Sequence, residues 1–417
     1  MCDLLSRNID LIVVGGGPAG LAAAISARKE GIKDLLIVER NNWLGGILPQ
    51  CIHDGFGLII FKETLTGPEY AQKYIDEVKK LEIPYIIDSM VLEITPEKDV
   101  IVSSPKGLLV FHAKAIILAM GCRERTRGQI RIPGSRPAGV YTAGVAQNLV
   151  NLKNFMVGKD IVVLGSGDIG LIMTRRLTFE GAKVHVVAEI LPYPSGLPRN
   201  IQQCLIDYDV PLLLSHTVTE IQGQNRVEAV VVSQVDENSK PIEGTQQRIA
   251  CDTLILSVGL IPENELSKTC GVDLNQITGG AVVKENLETS VQGIFACGNA
   301  LHVHDVVDYV SLEAQKAGKS VAEYVLGKQR KVKRIQTEAG NGVRYVLPDF
   351  IRRNVDLELF MRVVCLGKDK HIGVFDGKKL VKKKKFRKIH PAEMIKMRLK
   401  GSETKNVKAL RVEVLEK

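Results

Sequence analysis

Apolar residues in this chain gather in short β-branched runs, most of them closed by glycine or by a charge. The first clear run is IDLIVVGGGPAGLAAA from Ile9, in which a strand-like segment meets a glycine turn and then a small-residue stretch of helical character. The same order returns from Asp160 as DIVVLGSGDIGLIM. Each copy is followed by a second apolar run ending in an acid: LLIVER ends near Glu39 and KVHVVAE ends at Glu189. VLEI, Val91 to Ile94, then opens a stretch that closes with AIILAMG, and VTEI, Val218 to Ile221, opens one that closes with TLILSVG. The runs between them, such as DVIVSS and LLVFH, alternate as a β-meander does. The pattern predicts an α/β fold with two Rossmann-like dinucleotide units, each carrying a meander. From about Val332, NGVRYVLPDF, VDLELFMRVV, HIGVFDG and VKALRVEV read as strands between turns, so a small β-rich domain ends the sequence.

The turns carry the chemistry. The first is Gly15-x-Gly17-x-x-Gly20 and the second Gly165-x-Gly167-x-x-Gly170. In such a turn the first glycine permits the tight bend and the second lets the backbone approach a pyrophosphate. The third allows the helix to pack on the strand. The pyrophosphate then meets unpaired N–H groups at the helix N-terminus. Glu39 and Glu189 both stand 24 residues after the first glycine of their own turn, the distance at which an acid accepts from ribose hydroxyls. A single such turn is weak evidence; a strand, turn, helix and acid occurring twice is not. A carboxylate at Glu189, followed by Ile190 rather than arginine, favours NAD(H) over NADP(H), because it repels a 2′-phosphate.

At 417 residues the chain has room for two or three domains with their own cores. Its longest uncharged run, Leu11 to Ala27, is centred on glycine and proline, so a strand–turn–helix fits better than a membrane span. No targeting signal is otherwise evident, and a cytoplasmic enzyme is the expectation. Eight cysteines are scattered without a CxxC or other close pair, so no zinc or iron–sulfur spacing is present and reduced thiols are expected. The net charge of +9 is uneven: from Lys328 onward there are 26 Lys and Arg against 10 Asp and Glu. The lysine-rich segment VKKKKFRK, Val381 to Lys388, suits a solvated edge strand or docking to an acidic partner better than nucleic acid.

VVGGGPAGLAAA, VER…LGG, AMGCRER, VLGSGDIG, LILSVGLIPEN and GIFACGNA together resemble the pyridine-nucleotide–disulfide reductase superfamily. The resemblance spans Asp10 to about Gly327 and implies an NAD(H) domain, 156–264, inserted into an FAD domain formed by 1–155 and 265–330. A basic assembly domain, 331–417, would follow. By that resemblance Gly15, Gly17 and Gly20, with Pro18 and Ala19, cradle the FAD pyrophosphate, and Glu39 and Arg40 meet the adenosine ribose. Gly46 and Val91 pass the cofactor, Gly121 marks a chain crossing, and Gly298 and Asn299 hold the ribityl end. Val310 and Ser311 would begin a helix aimed at the flavin C2 carbonyl. Gly165, Gly167, Asp168, Ile169, Gly170, Glu189 and Gly259 form the corresponding NAD(H) set. Relatives usually have aspartate where this chain has Asn299, which still accepts a hydrogen bond but brings no charge.

Disulfide reductases of this superfamily place two cysteines after LGG, whereas LGGILPQCIH supplies only Cys51. Two readings stay open: Cys51 cycles through sulfenic acid, helped by His53, or it packs beneath the flavin ring without chemistry of its own. GGILPQCIHDGFG, IPGSRPAGVYTAGVAQNLVN, SGLPRNIQQCL and HVHDVVDYVS look like the NAD-binding flavoprotein subunit of heteromeric dehydrogenases acting on sarcosine, opines or proline. The nearest resemblance is to a form accompanying a glycerol-3-phosphate dehydrogenase-like flavoprotein and a small cysteine-containing subunit. A hetero-oligomer is therefore expected, with no nucleic acid and no transmembrane segment. The rivals are a free-standing NADH oxidase or peroxidase using Cys51, and a nucleotide-binding scaffold without catalysis. Of the cluster His302, His304, Asp305 and Asp308, an aspartate N-cap is expected over metal ligation. Arg123 and Arg125 are read as salt-bridging residues, with anion binding as the alternative.

Overall fold

The computed structural model describes residues 5–329 and 332–416. The chain divides into two compact units, Met1–Cys122 with Pro262–Lys417, and Arg123–Ile261. The expected α/β architecture is present in both.

In the first unit a seven-stranded sheet runs in the order Tyr85–Ile86, Leu35–Val38, Leu5–Val14, Gly107–Leu118, Asp99–Ser104, Met90–Ile94, and Ile294–Ala296 also pairs with Gly107–Leu118. Leu5–Val14 lies parallel to Leu35–Val38, with Leu11 opposite Leu35 and Val14 opposite Val38. The four-residue run LLIV is buried along its whole length, as a parallel strand covered on both faces requires. The last meander strand and the last dinucleotide-fold strand are one continuous 12-residue strand. Its first half pairs antiparallel with Asp99–Ser104 and its last three residues pair parallel with Ile294–Ala296. The helix Pro18–Lys29 is built of small residues and buries Ala19 through Ala27 without interruption. It therefore sits between layers, where a larger side chain would not fit.

The second unit repeats the plan with a five-stranded parallel sheet: Val140–Thr142, Thr253–Leu256, Asp160–Leu164, Lys183–Glu189, Leu212–Leu214. Its meander is a separate antiparallel sheet of His216–Gln222, Ala229–Gln234 and Gln247–Ala250. This unit begins well before the expected residue 156. Val140–Thr142 pairs parallel with Thr253–Leu256, and the following helix Ala143–Lys153 buries Ala143, Ala146 and Val150 in that unit's core.

Residues from Arg334 onward form the expected β-rich region. Its five-stranded sheet has the order Phe350–Arg352, Arg334–Ala339, Leu410–Leu415, Gly367–Asp376, Lys379–Ile389, and its three-stranded sheet the order Val343–Leu347, Leu357–Val363, Ile395–Leu399. It has its own core around Leu359, Met361, Ile372, Val374 and Met397. It is nonetheless not a detachable body, because Tyr345 and Leu347 belong to the core of the first unit. The lysine-rich strand Lys379–Ile389 lies at the sheet edge, where charged side chains oppose pairing with another chain.

Candidate functional site: two dinucleotide turns and their acids

Each glycine turn stands at the end of a parallel strand, and sterics explain its first and third glycines. Gly15 has φ +103°, and a Cβ there would lie 2.5 Å from the Ala119 carbonyl oxygen. A Cβ on Gly20 would lie 1.8 Å from the Gly15 carbonyl oxygen, so helix and strand approach to a distance only glycine tolerates. The helix after it starts at Pro18, with Gly17 as its N-cap and no side-chain cap. Its first N–H groups are thus left to an anionic ligand, as the fit to a pyrophosphate demands. The loop after Glu39 closes over this turn: the Gly45 N–H donates to the Gly16 carbonyl at 2.8 Å, and a Cβ on Gly46 would lie 2.9 Å from the Gly17 Cα.

Glu39 is buried, 4% exposed, and its carboxylate accepts from the Gly16 N–H at 2.7 Å and the Asn41 N–H at 2.8 Å. A carboxylate offers about four acceptor positions, so Glu39 keeps capacity for a ribose diol. Arg40 is exposed. Pro18 and Ala19 open the helix, and the Gly298 backbone packs on Ala19, where a Cβ on Gly298 would come within 2.8 Å of the Ala19 Cβ and 3.2 Å of Val310 Cγ1. The structure therefore brings Gly15, Gly17, Ala19, Gly20, Glu39, Gly46, Gly298 and Val310 into one neighbourhood. Gly121 has φ +74° with open space on its Cβ side.

Three expected cofactor residues have other engagements. Val91 is buried in the hydrophobic core. The Ser311 hydroxyl accepts from the Tyr70 hydroxyl at 2.8 Å, both groups being buried. The Asn299 side-chain oxygen accepts from the His304 N–H at 3.0 Å, and its amide nitrogen lies 3.6 Å from Cys122 Sγ.

In the second unit Gly165 has φ +94°, and a Cβ there would lie 2.2 Å from the Ser257 carbonyl oxygen. Gly167 is the N-cap of the helix Asp168–Phe179, again without a side-chain cap. Gly170 packs on Ser257, whose hydroxyl accepts from the Gly170 N–H at 3.1 Å, and Ile169 lies half-buried in the same first turn. Asp168 is committed to the neighbouring loop, accepting from the Leu197 N–H at 2.8 Å and the Asn200 side-chain amide at 2.7 Å. Gly259, at φ +102°, accepts from the Arg125 N–H. Arg123 and Arg125 are both exposed.

Glu189 is 3% exposed and more heavily engaged than Glu39. It accepts from the Ser166 N–H, the Ser166 hydroxyl, the Ser195 hydroxyl and the Leu191 N–H. Sequence reasoning missed both serines. They are legible only as polar residues beside a glycine turn, a pattern too common to single out.

Cys51 follows the short helical turn Leu48–Gln50, and its thiol lies 3.5 Å from the Ile47 carbonyl oxygen. Part of the residue reaches solvent, yet burial of the sulfur pushes its pKa up to about 12. A thiol held protonated is neither a nucleophile nor a ready site of oxidation at neutral pH. The His53 ring packs on Phe56, with centroids 5.1 Å apart. None of the seven described cysteines forms a disulfide; Cys2 lies outside the described residues.

Neither Asp305, which precedes the long helix Val307–Val325, nor Asp308 in its first turn caps it, contrary to expectation. Val306 is the N-cap and no side chain caps it. Asp308 is 1% exposed and accepts from the N–H groups of Gly57 at 3.2 Å and Ile60 at 2.9 Å, fixing the loop that follows Cys51. Asp305 pairs with Arg362 and accepts from the Met394 N–H. His302 and His304 converge instead on Glu313, a helix residue whose role the sequence pattern did not disclose. The Glu313 carboxylate accepts from the Gly298 N–H at 2.8 Å through one oxygen and meets His302 Nε2 at 2.9 Å through the other.

Comparison with known proteins places the chain in a family. Residues 9–323 match the model of the family described as pyridine nucleotide-disulphide oxidoreductase. The chain is 25% identical over 293 residues to hydrogen cyanide synthase subunit HcnB of Pseudomonas protegens, a match covering 64% of this chain and 60% of that protein. It is 26% identical over 310 residues to NAD(P)H sulfur oxidoreductase (CoA-dependent) of Pyrococcus abyssi, covering 71% and 64%. Both matches span less than two thirds of the relative's length. Among solved structures, thioredoxin reductase of T. acidophilum superposes with a TM-score of 0.63 at 22% identity, over 76% of this chain and 98% of that one. L-proline dehydrogenase from P. horikoshii gives 0.55 at 18% identity, over 79% and 58%. At these identities the two structures establish the fold alone. Among the described residues no helix is long and apolar enough to cross a membrane. With three quarters of its length matched and a dinucleotide turn in each unit, the chain belongs to the pyridine nucleotide-disulphide oxidoreductase family.

Proposed function

We propose that this chain is the NAD(H)-linked flavoprotein subunit of a cytoplasmic heteromeric dehydrogenase. It would exchange electrons with a partner flavoprotein that acts on a small substrate such as glycerol 3-phosphate, alongside a small cysteine-containing subunit. The observation that carries this reading is Cys51. The loop that holds a dithiol in disulfide reductases has one cysteine here, and burial keeps that thiol protonated. Electrons received from a nicotinamide therefore need an acceptor other than a cysteine pair. Similarity to a protein named as a synthase subunit supports the subunit assignment.

When bound, FAD and NAD(H) supply the chemistry, a hydride passing between nicotinamide C4 and flavin N5. The chain's own residues bind and orient. The turn Gly15, Gly17 and Gly20 lets one pyrophosphate approach the uncapped N-terminus of the helix Pro18–Lys29, and the turn Gly165, Gly167 and Gly170 does the same at the helix Asp168–Phe179. Glu39 and Glu189 offer carboxylates to the riboses, and the charge on Glu189 selects against a 2′-phosphate. No side-chain acid or base is needed for the hydride step. The lysine-rich edge strand Lys379–Ile389 presents a positive face suited to an acidic partner surface.

Peroxide turnover separates this reading from a free-standing NADH peroxidase. With NADH and hydrogen peroxide, Cys51→Ser should match the wild type in NADH consumption. Loss of at least about tenfold in the variant would transfer the chemistry to Cys51 and overturn the proposal.

A further inference from the structure

The HVHD segment remains unexplained by nucleotide binding. His302 and His304 come from the loop after Gly298–Ala300, and Glu313 comes from the second turn of the helix Val307–Val325. All three residues are at least nine-tenths buried, at 1%, 9% and 7% exposure. One ligand atom from each lies within 4.8 Å of the others. His302 Nε2 is 2.9 Å and His304 Nε2 is 3.5 Å from the same oxygen, Glu313 Oε2. Neighbouring ligands of a tetrahedral zinc ion, with bonds near 2.0–2.1 Å, stand roughly 3.3 Å apart.

A second observation points to a missing ligand. His302 Nδ1 and both ring nitrogens of His304 are buried and have no hydrogen-bond partner. Leaving such an atom without a partner is costly, and three on adjacent rings, with centroids 4.2 Å apart, are unusual in a native core. A simple His–Glu hydrogen bond accounts for one nitrogen only. Arg362, which donates to the Val303 carbonyl at 3.0 Å, is already paired with Asp305. Neutral imidazole and carboxylate are the ligating forms.

We propose that His302, His304 and Glu313 form a binding site for one divalent transition cation of the zinc class. Two imidazole nitrogens and one carboxylate oxygen match that class, and three protein ligands leave a coordination position for water or an anion. The cation removes the cost at His304 Nε2 and fixes the tautomers of both rings. Because Glu313 also holds the Gly298 N–H through its second oxygen, the ion anchors the turn that carries Asn299. The site stands on its own residues and does not depend on the proposed electron path.

The test uses the full chain with its flavin, equilibrated with zinc sulfate and passed over a desalting column. Zinc should remain at about one ion per chain in the wild type and fall below about 0.2 in His304→Ala, at unchanged flavin content. His304→Ala is chosen because its ring makes no hydrogen bond that the fold would lose. Wild-type zinc below about 0.1 per chain, or equal zinc in both proteins, overturns the proposal. Should the variant fail to fold, cobalt(II) titration of the wild type decides. Intense ligand-field absorption saturating at one equivalent supports the site, and its absence overturns it.

Discussion

Glu39 and Glu189 occupy equivalent places but differ in how many donors they already satisfy. Glu39 accepts two backbone N–H groups, whereas Glu189 accepts two backbone N–H groups and two serine hydroxyls. A ribose diol at Glu189 has to compete with Ser195. Removing that hydroxyl frees one acceptor position, so Ser195→Ala should tighten NADH binding about two- to fivefold, the value of one modest hydrogen bond. Fluorescence titration measures this, and unchanged or weaker binding would contradict it. At Cys51 the pH dependence has a definite sign. The folded-state pKa is raised to about 12 from an ordinary 9.0, so the protonated thiol's contribution is fully present below pH 9 and is lost as pH rises toward 12. Between those limits the wild type should lose thermal stability faster than Cys51→Ser. Parallel Tm profiles for the two proteins would rule that out.

At the scale of elements, the helix Gly67–Lys80 begins with a reciprocal cap: the Thr66 hydroxyl accepts from the Glu69 N–H, and the Glu69 carboxylate accepts from the Thr66 N–H at 2.7 Å. Thr66→Ala should cost about 1 kcal/mol, read as a lower denaturation midpoint at constant m-value. This cap is local and was open to reading from TGPE. The start of the helix Val307–Val325 was not. An aspartate at a helix start ordinarily caps it, but here Asp308, in the first turn, reaches N–H groups at Gly57 and Ile60, about 250 residues away in sequence, and such contacts leave no trace in spacing. Glu313 was hidden for the same reason, because its partners become neighbours only through the sheet that places Gly298. The glycine turns and their acids were legible because backbone sterics fix them within a single βαβ unit. At the sheet edge, Lys383→Glu, Lys384→Glu and Lys385→Glu together should shift folding stability by no more than about 1 kcal/mol in total, since these side chains are exposed. The triple variant should still abolish capture of an acidic flavoprotein partner; retained capture removes docking from this strand.

At the scale of the whole molecule, the repeat announced two dinucleotide units but not where the second begins. Val140–Thr142 is too short a run to signal membership of a sheet whose partner strand lies more than 100 residues later. The β-rich region was legible as strands, yet its contribution of Tyr345 and Leu347 to the first core was not. Truncation after residue 330 should therefore yield insoluble protein rather than a clean flavodomain. A soluble, flavin-loaded truncate would show the region to be independent.

The central claim is that hydride exchange needs the two dinucleotide sites and no cysteine. The most direct test is anaerobic titration of the flavin-loaded chain with NADH, in wild type and Cys51→Ser, following the flavin absorbance. The account predicts stoichiometric bleaching in both proteins at rates within about twofold, with NADPH markedly slower. Bleaching confined to the wild type, or a charge-transfer band that disappears in the variant, would contradict it and return Cys51 to the centre of the chemistry.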